Sequence, residues 1–527
     1  MKRREFVRTC GLGAAALAAS RCAPGRPAGT PRPPLRPNIL FMMSDDHAAH
    51  AIGAYGSRVN RTPNIDRLAR EGVRFDNCFC TDGICAPSRA VILTGKHSHL
   101  NGVRDNAVAL DGAQPTLPKL LQAAGYQTAL LGKWHLKSDP TGFDYWSILP
   151  GQGEYYNPDF IEMGDEKRHP GYCTDLLTDM ALRWLQTGRD RGRPFFLMLH
   201  HKAPHRNWQP APRHLRRYDG LPIPEPVTLF DDYATRSAAA REQEMTVRDH
   251  LTLESDLKMG PPAARMDEEQ QRAWEDAYGP KREAFLREKP EGEALVRWKY
   301  RRYMEDYLST IEAVDESVGR VLDELDATGL ARETLVVYAS DQGFFLGDHG
   351  WFDKRFMYEE ALRMPLLMRL PGFTPAGSAR SELVQNLDFA PTFLDLAGLA
   401  PPADMQGASF VPLLRGERPR GWRRAAYYHY YEYPAVHMVK RHYGVRTSRY
   451  KLMHVYYDID AWELYDLKRD PRELRNVYDD PGYAGVRENL RLELRRLQTL
   501  YGDSDELAQR FLEEDLARVK MLVDRED

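Results

Sequence analysis

Apolar runs alternate with helix-like segments along most of the chain. The runs at 38–44, 127–131, 195–200 and 334–340 are almost uninterrupted, as is typical of strands buried on both faces. Thr62-Pro63 predicts a helix start and Gly72 its end, and a longer helix is predicted at 303–325. This alternation predicts an α/β fold in which helices flank a large, mostly parallel sheet.

The pattern changes twice. Residues 208–296 are rich in Arg, Glu, Asp, Gln and Pro; they predict a helical insertion over the sheet, and a solvated surface excursion fits them equally well. After Gly398 a Pro-rich break precedes a smaller antiparallel sheet. Its expected strands and closing helix lie at 425–431, 444–447, 450–454, 463–465 and 487–501. We therefore divide the chain into 1–36, a main domain at 37–415 and a C-terminal subdomain at 416–527.

The first residues resemble an export signal. Basic residues 2–4 precede an apolar, small-residue run at 10–19, which is typical of a secretory signal, and the Arg3-Arg4 pair resembles a twin-arginine signal. Residues 26–37 read as a Pro-rich linker. Lipid attachment at Cys22 is less favoured, because Arg21 stands where a small residue is required. We expect an exported protein, periplasmic or extracellular, with no membrane span.

Composition narrows the possible partners. The 527 residues are 42% hydrophobic, enough for a large core, and the formal net charge of −3 gives no reason to expect nucleic acid. An anionic substrate would need a local cluster of cations. The six cysteines are too few for a disulfide scaffold in a chain of this size.

Polar residues follow each long predicted strand. Asp45-Asp46 follows the first, Lys133-Trp134-His135 the second, the segment 201–205 the third, and Asp341-Gln342 the fourth. Sites in open α/β sheets form outside the carboxyl ends of strands. These segments therefore predict one shared site at that edge of the sheet.

The segment Cys85-Ala-Pro-Ser-Arg89, followed by Leu93-Thr-Gly95, resembles the signature of the type I formylglycine-dependent sulfatases. The resemblance covers about 37–480 and implies their alkaline-phosphatase-like fold. It also implies that a maturation enzyme oxidises Cys85 to formylglycine. A hydrated aldehyde has two hydroxyls on one carbon. One attacks sulfur and expels the alcohol, and loss of a proton from the other then expels sulfate and restores the aldehyde. Arg89, one helical turn beyond Cys85, is expected to hold this centre.

The same resemblance implies a calcium site. Asp45, Asp46, Asp341 and Gln342 offer only oxygen ligands, which suit calcium, and the modified residue 85 completes the set. The family most often has Asn where this chain has Gln342. The carboxyl oxygens of the three aspartates are expected to converge within about 5 Å.

Four further residues receive catalytic roles from the resemblance. Lys133 and Lys354 are expected to bind sulfate oxygens, His135 to act as the base, and His205 to protonate the leaving alcohol with help from Lys354. The two histidine roles are interchangeable on sequence alone.

The segments 341–360 and 427–445 resemble bacterial N-acetylglucosamine-6-sulfatases. Residues expected to contact the sugar are His349, Trp351, Asp353, Arg363 and His442. His349 is equally well explained as a residue that orders its loop, and Tyr-rich runs are also common in strands that pack on half-buried surfaces.

The sequence therefore predicts a sulfatase acting on a sulfated carbohydrate, with the 6-O-sulfate of N-acetylglucosamine as the expected ester. Alternatives are a sulfatase of another polysaccharide, a formylglycine-dependent phosphonate or phosphate ester hydrolase, and an inactive glycan-binding relative. The pair Lys133 and Lys354 favours sulfatase chemistry over the phosphorus hydrolase.

Overall fold

The computed structural model describes residues 36–435 and 437–523. The predicted export signal and nearly all of the linker lie outside these residues. The strands are β1 (Asn38–Ser44), β2 (Val73–Phe75), β3 (Cys78–Phe79), β4 (Gln127–Lys133), β5 (Tyr145–Leu149), β6 (Asp159–Glu162), β7 (Asp165–Arg168), β8 (Phe195–His200), β9 (Thr334–Ser340), β10 (Phe345–Leu346), β11 (Phe352–Asp353), β12 (Leu366–Arg369), β13 (Ser378–Arg380), β14 (Val384–Gln385), β15 (Ala425–Tyr430), β16 (His442–Thr447), β17 (Tyr450–Val455) and β18 (Ala461–Asp466).

The helices surround these strands. They are α1 (Pro63–Glu71), α2 (Cys85–Thr94), α3 (Ser98–Asn101), α4 (Leu117–Ala123), α5 (Cys173–Arg183), α6 (Ala239–Glu242), α7 (Glu268–Glu288), α8 (Gly292–Ala327), α9 (Glu359–Leu362), α10 (Phe389–Leu396), α11 (Val411–Leu414), α12 (Ala484–Tyr501) and α13 (Asp505–Val523). None of the helices in the described ranges combines the length and the apolar character needed to cross a membrane.

A ten-stranded sheet forms the centre of the described chain, in the order β13-β2-β12-β9-β1-β8-β4-β5-β6-β7. The five central strands from β9 to β5 run parallel, and antiparallel pairs extend the sheet on both sides. Along β1, Ile39, Phe41 and Met43 pack on one face while Leu40 and Met42 pack on the other. The expected large, mostly parallel sheet flanked by helices is confirmed.

The long predicted strands are present, and β4 extends the prediction by two residues. The helix predicted at 303–325 begins earlier, at Gly292. The helical insertion is only partly correct, because residues 208–266 form mainly turns and irregular chain, and the helices α7 and α8 begin only after them. Polar side chains that bond the backbone locally, such as Asp231 and Asp256, explain that irregularity.

The smaller antiparallel sheet is also present, in the order β15-β16-β17-β18, with α12 packed against it. The helix α13 was not predicted. Three hydrogen bonds fix this sheet beside the start of α2. The Tyr428 hydroxyl accepts from the Gly83 N–H at 3.0 Å, the His429 N–H donates to the Thr81 carbonyl at 3.0 Å, and the Gln385 amide donates to the Tyr427 carbonyl at 2.9 Å.

Candidate active site

The carboxylates predicted to share one site lie together. Asp45 and Asp46 follow β1, and Asp341 follows β9, whose register with β1 pairs Ser44 with Ser340. Carboxylate oxygens of the three aspartates lie within 4.8 Å of one another. The predicted convergence within about 5 Å is therefore confirmed. Parallel strands end at the same sheet edge, so their next residues meet there.

This carboxylate cluster fits a hard cation. Burial raises the pKa of Asp46 to about 7; Lys354 opposes the rise, and the charges of Asp45 and Asp341 add to it. The Gln342 amide donates to Asp46 Oδ1 at 2.5 Å, and its buried Oε1 has no hydrogen-bond partner among the described residues. Repelling carboxylates and a spare amide oxygen are a donor set that suits calcium.

Cys85 begins α2 beside this cluster. Its thiol donates to Asp45 Oδ1 at 3.4 Å, and the side chain is buried. Burial, and then the neighbouring Asp45 charge, raise the pKa of the thiol. An uncharged thiol is a weak nucleophile, so this environment does not favour chemistry by an unmodified cysteine.

Three polar residues outside the predicted set hold α2 in place. The Asn106 side chain accepts from the Ala86 N–H at 3.1 Å, and Asn386 donates to Ser88 Oγ at 2.9 Å. Ser88 in turn donates to the Asp341 carbonyl. Asn106 and Asn386 lie far from the motif in sequence, and no pattern in the chain marks them.

Four predicted cations or potential cations surround the cluster. The first, Arg89, donates to Asp341 Oδ2 at 3.0 and 3.2 Å and to Asp45 Oδ2 at 3.0 Å. Lys133 forms an ion pair with Asp45, and Lys354 contacts both oxygens of Asp46 at 2.5 and 2.7 Å. All three are buried, so their charges act at low dielectric on whatever anion enters.

The fourth is His205. Its Nδ1 donates to the Arg206 carbonyl at 2.7 Å, which leaves Nε2 facing Asp46 Oδ2 at 3.7 Å. Burial, and then the Lys133 charge, lower the pKa of His205 well below its ordinary value. His205 is therefore neutral in the free site, and a bound anion favours its protonated form.

His135 follows Lys133 by two residues in the chain. It lines a cavity of about 420 Å³ with Trp134 and Leu149, a cavity that none of the three aspartates lines, and its φ of 57° lies in the left-handed region. Burial, and then Lys133, lower the pKa of His135 to about 2. His135 is therefore a neutral imidazole, the form that can accept a proton, held in an uncommon backbone conformation.

Two cations near the site were missed as site residues. Lys202 follows β8 and donates to the Gln152 carbonyl at 3.1 Å, and burial, together with Lys133, lowers its pKa to about 8. Arg355 follows Lys354 and forms an ion pair with Asp353 at 2.5 Å. The position of Lys202 directly after a strand was an available signal. For Arg355, the one available signal in the sequence was its position next to Lys354.

Three residues expected to contact the sugar are instead fully buried in packing roles. The ring nitrogens of His442 are both used by backbone, because Nδ1 donates to the Lys440 carbonyl at 2.8 Å and Nε2 accepts from the Met357 N–H at 3.1 Å. Trp351 is covered by Tyr233 and Phe356, which stack on it at 5.4 and 5.3 Å. Direct sugar contact is therefore wrong for both.

His349 is the third. It is fully buried, with Nδ1 3.0 Å from Asp231 and Nε2 3.7 Å from Glu360. The structure favours the loop-ordering role over sugar contact.

The last two residues expected to contact the sugar lie in different places. Asp353 is partly exposed and lies 3.7 Å from Lys354, so it stays a predicted sugar contact. Arg363 lines a different cavity with Arg446 and Arg449, and that cavity contains none of the described residues of the carboxylate cluster. The expectation that Arg363 contacts the sugar at the reacting centre is therefore not supported.

Comparisons with known proteins identify the family of the chain. Residues 37–399 match the family model described as sulfatase, and residues 347–500 match the model described as N-sulphoglucosamine sulphohydrolase, C-terminal. The chain is 51% identical over 510 residues to an N-acetylglucosamine-6-O-sulfatase of Bacteroides thetaiotaomicron, covering 93% of this chain and 90% of that protein.

Two solved structures share the fold. One is a protein in complex with its substrate D-glucosamine-2-N,6-O-disulfate, with a TM-score of 0.88, 52% identity, and coverage of 89% of this chain and 99% of that one. The other, a phosphonate monoester hydrolase of Agrobacterium radiobacter, has a TM-score of 0.65 and 24% identity over 88% of this chain and 96% of that one, and shows the fold alone. With its alkaline-phosphatase-like fold, the chain belongs to the sulfatase family and is a sulfuric ester hydrolase.

Proposed function

We propose that this sulfatase removes the 6-O-sulfate from N-acetylglucosamine or a related glucosamine unit of a sulfated glycan. The observation that carries the proposal is the Asp353–Arg355 ion pair, at 2.5 Å, on both sides of Lys354 in the chain. It places a hydrogen-bonding wall directly beside the cations that face the reacting centre. Sugar hydroxyls need such paired donors and acceptors.

The wall continues into the C-terminal part of the chain. His437 Nδ1 lies 2.8 Å from Glu432 Oε2. Burial, and then the charge of Arg355, lower the pKa of His437. The names of the relatives support the sugar assignment: one is an N-acetylglucosamine-6-O-sulfatase, and another was solved with a 6-O-sulfated glucosamine.

The buried cations would bind the sulfate group. Lys133 and Lys354 would bind sulfate oxygens, because each already neutralises an aspartate at the edge of the cluster. His205 would protonate the leaving alcohol once the sulfate has raised its pKa, and His135 would accept the proton that restores residue 85. Arg89 orients the two carboxylates, Asp45 and Asp341, that flank residue 85.

Asp45, Asp46, Asp341 and Gln342, with residue 85, would hold calcium. Calcium and formylglycine together supply charge neutralisation at sulfate and a hydroxyl nucleophile. The maturation enzyme that makes formylglycine belongs to this proposal. Mass spectrometry of the peptide containing residue 85 tests it directly: only unmodified cysteine in active enzyme would overturn it.

Sulfate release from N-acetylglucosamine-6-sulfate tests the activity. Cys85→Ser removes the thiol but changes volume little, so we expect turnover below about 0.1% of wild type, as for loss of a nucleophile, with an unchanged melting temperature. Cys173→Ser is the matched control, because Cys173 is also buried and also begins a helix. Phosphate release from the matching phosphate ester should be far slower. Wild-type turnover in Cys85→Ser would contradict the mechanism.

We also propose that the chain is exported. The basic and apolar patterns at 2–4 and 10–19 support this. Fractionation of cells that express the full chain should place the enzyme outside the cytoplasm, and Arg3→Lys with Arg4→Lys should retain it inside if the twin-arginine route is used.

A further inference from the structure

A second cavity, of about 670 Å³, lies apart from the carboxylate cluster. Its walls come from the segments at 348–363 and from the strand ends at 446–449 and 467–472. An aromatic layer lies between it and Lys354. In that layer His349 packs against Trp351 at 5.2 Å, and Trp351 stacks on Phe356. The cavity is therefore a binding space apart from Lys354 and the carboxylate cluster.

The acidic residues of this cavity are already paired. Glu359 accepts from Arg446 at 3.0 Å and from Lys451 at 3.1 Å. Glu360 lies 3.7 Å from His349, and Asp348 lies 3.4 Å from His50. Their negative charges are largely compensated inside the wall, so they add little negative potential to the cavity.

Several cations in the lining have no such compensation. Arg363, Lys468 and Arg472 have no carboxylate within 4.0 Å among the residues the structure describes. Arg363 is half-buried, while Lys468 and Arg472 are exposed. Arg449 adds a fourth positive charge, although it is paired with Asp466 at 2.7 Å. Unpaired cations that converge on one concave surface attract an anion.

The lining also narrows the class of anion. Phe, Tyr and Trp are absent from the described lining residues, and the His50 imidazole is the one ring among them, so the cavity offers little of the large aromatic surface on which bases stack. Arginine forks and the Ser448 hydroxyl suit carboxylate, sulfate and hydroxyl groups. The volume falls within the range of about 300–1,000 Å³ that is typical of small-ligand sites. An acidic sugar unit combines all these features.

We propose that this cavity binds an anionic sugar unit of the same glycan chain, away from the reacting centre. The choice of saccharide rests on the proposed function, whereas the anion site rests on the cavity alone. Bound there, a charged unit would hold a long chain on the enzyme between turnovers. A long chain would then contact both the reacting centre and this cavity. Because the two contacts are linked, the enzyme would bind a long chain more tightly than a monosaccharide.

A heparin hexasaccharide is a suitable probe, and Cys85→Ser protein prevents turnover during titration. In that background we expect Arg363→Ala with Lys468→Ala and Arg472→Ala to weaken hexasaccharide binding about tenfold at low salt, because exposed charge contacts contribute modestly and add. The matched control is Arg287→Ala with Lys289→Ala and Arg332→Ala, all exposed and outside the cavity. Unchanged affinity in the first triple variant, or an equal loss in the control, would overturn the inference.

The same triple variant, with Cys85 intact, should hydrolyse N-acetylglucosamine-6-sulfate at the wild-type rate and lose efficiency only on long chains. A matching loss on the monosaccharide would overturn the separation of this cavity from the reacting centre. If the wild type fails to hydrolyse this ester but the triple variant still loses hexasaccharide binding, the proposed function fails and the anion site stands.

Discussion

At the scale of single residues, Arg89 contributes more than charge. Its guanidinium donates to Asp45, to Asp341 and, at 2.7 Å, to the Lys133 carbonyl. A lysine keeps the charge but cannot reach all three acceptors, so at least one is left unsatisfied at a cost of about 1–3 kcal/mol. We expect Arg89→Lys to lower turnover at least about tenfold.

The control for this prediction is Arg302→Lys. Arg302 is similarly buried and pairs with Asp306 at 3.0 Å, but it lies outside the site. It should lower the melting temperature and leave kcat/KM unchanged. If both variants lost stability and neither lost turnover, Arg89 would be a structural residue only.

A substitution of Gln342 tests the proposed metal site. Gln342→Met removes the amide oxygen and keeps the length, so we expect calcium to bind about tenfold more weakly or worse, as for loss of a supporting ligand. The melting temperature of wild type should rise with calcium and fall with chelator, since a ligand bound only by the folded state stabilises it. The midpoint of that rise should move to higher calcium in the variant.

Gln385→Met is the matched control, because Gln385 is buried and bonds the Tyr427 carbonyl away from the cluster. It should shift the melting temperature equally with and without calcium. A calcium response that was the same in Gln342→Met as in wild type would exclude Gln342 as a ligand.

The residues predicted from sequence fall into two groups. Asp45, Asp46 and Asp341 were predictable because strand ends fix their position, and Cys85 because its motif is local. His442 and Trp351 were misassigned because polar and aromatic side chains look alike in sequence whether they face a ligand or a core. Only the packing of Phe356 and Tyr233 on Trp351 decides between the two.

At the scale of elements, the segment from β10 to β11 is held by His349. Its imidazole lies between Asp231 and Glu360, and although burial opposes protonation, those carboxylates raise its pKa to about 9. The folded state thus holds this proton more tightly than the unfolded chain, whose histidine pKa is near 6.5. The stability it contributes is complete below about pH 6.5 and is lost as pH rises through 9, up to about 3 kcal/mol.

Urea unfolding of wild type and His349→Gln at pH 6.5 and pH 9.5 tests whether this contribution to stability falls as pH rises. The variant should be less stable at pH 6.5, and the difference should shrink at pH 9.5. His442→Gln is the control, because burial lowers the pKa of His442 to about 3 and it stays neutral across this range. A His349→Gln deficit that was equal at both pH values would contradict a charged His349.

Regular elements were more predictable than the chain between them. The strands β1, β8 and β9 agree with the predicted bounds because both faces of a buried strand must be apolar. The sequence at 208–296 fits a helical insertion and a solvated surface excursion equally well, because charged residues suit both, and only the structure shows that 208–266 is irregular.

At the scale of the whole molecule, the two sheets build one site. The Tyr428 hydroxyl of β15 accepts from the Gly83 N–H ahead of α2 and also bonds the Arg355 carbonyl. One side chain of the smaller sheet therefore touches both the segment that carries Cys85 and the segment that carries Lys354. The sequence predicted both sheets but not this junction, because hydrogen bonds between distant segments leave no local pattern.

This arrangement predicts how specificity is divided. The large-sheet part supplies Lys354 for the sulfate, whereas the C-terminal part supplies His437 and Glu432 beside Arg355. An aryl sulfate has a good leaving group and needs little orientation, but a sugar alcohol needs an acid and contacts remote from sulfur. We expect His437→Ala to lower kcat/KM for N-acetylglucosamine-6-sulfate about tenfold or more, because a lost buried hydrogen bond costs about 1–3 kcal/mol.

In the same variant kcat/KM for an aryl sulfate should stay within about twofold, less than 0.5 kcal/mol. The measured quantity is the ratio of the two efficiencies. His454→Ala is the matched control, since His454 lies on β17 in the same C-terminal part of the chain and bonds Tyr443 and Asp460 rather than the site. Equal losses on both substrates would make His437 a structural residue. A fall in the ratio confined to His437→Ala would mean that the segment between β15 and β16 selects the sugar while the residues at the edge of the larger sheet bind the sulfate.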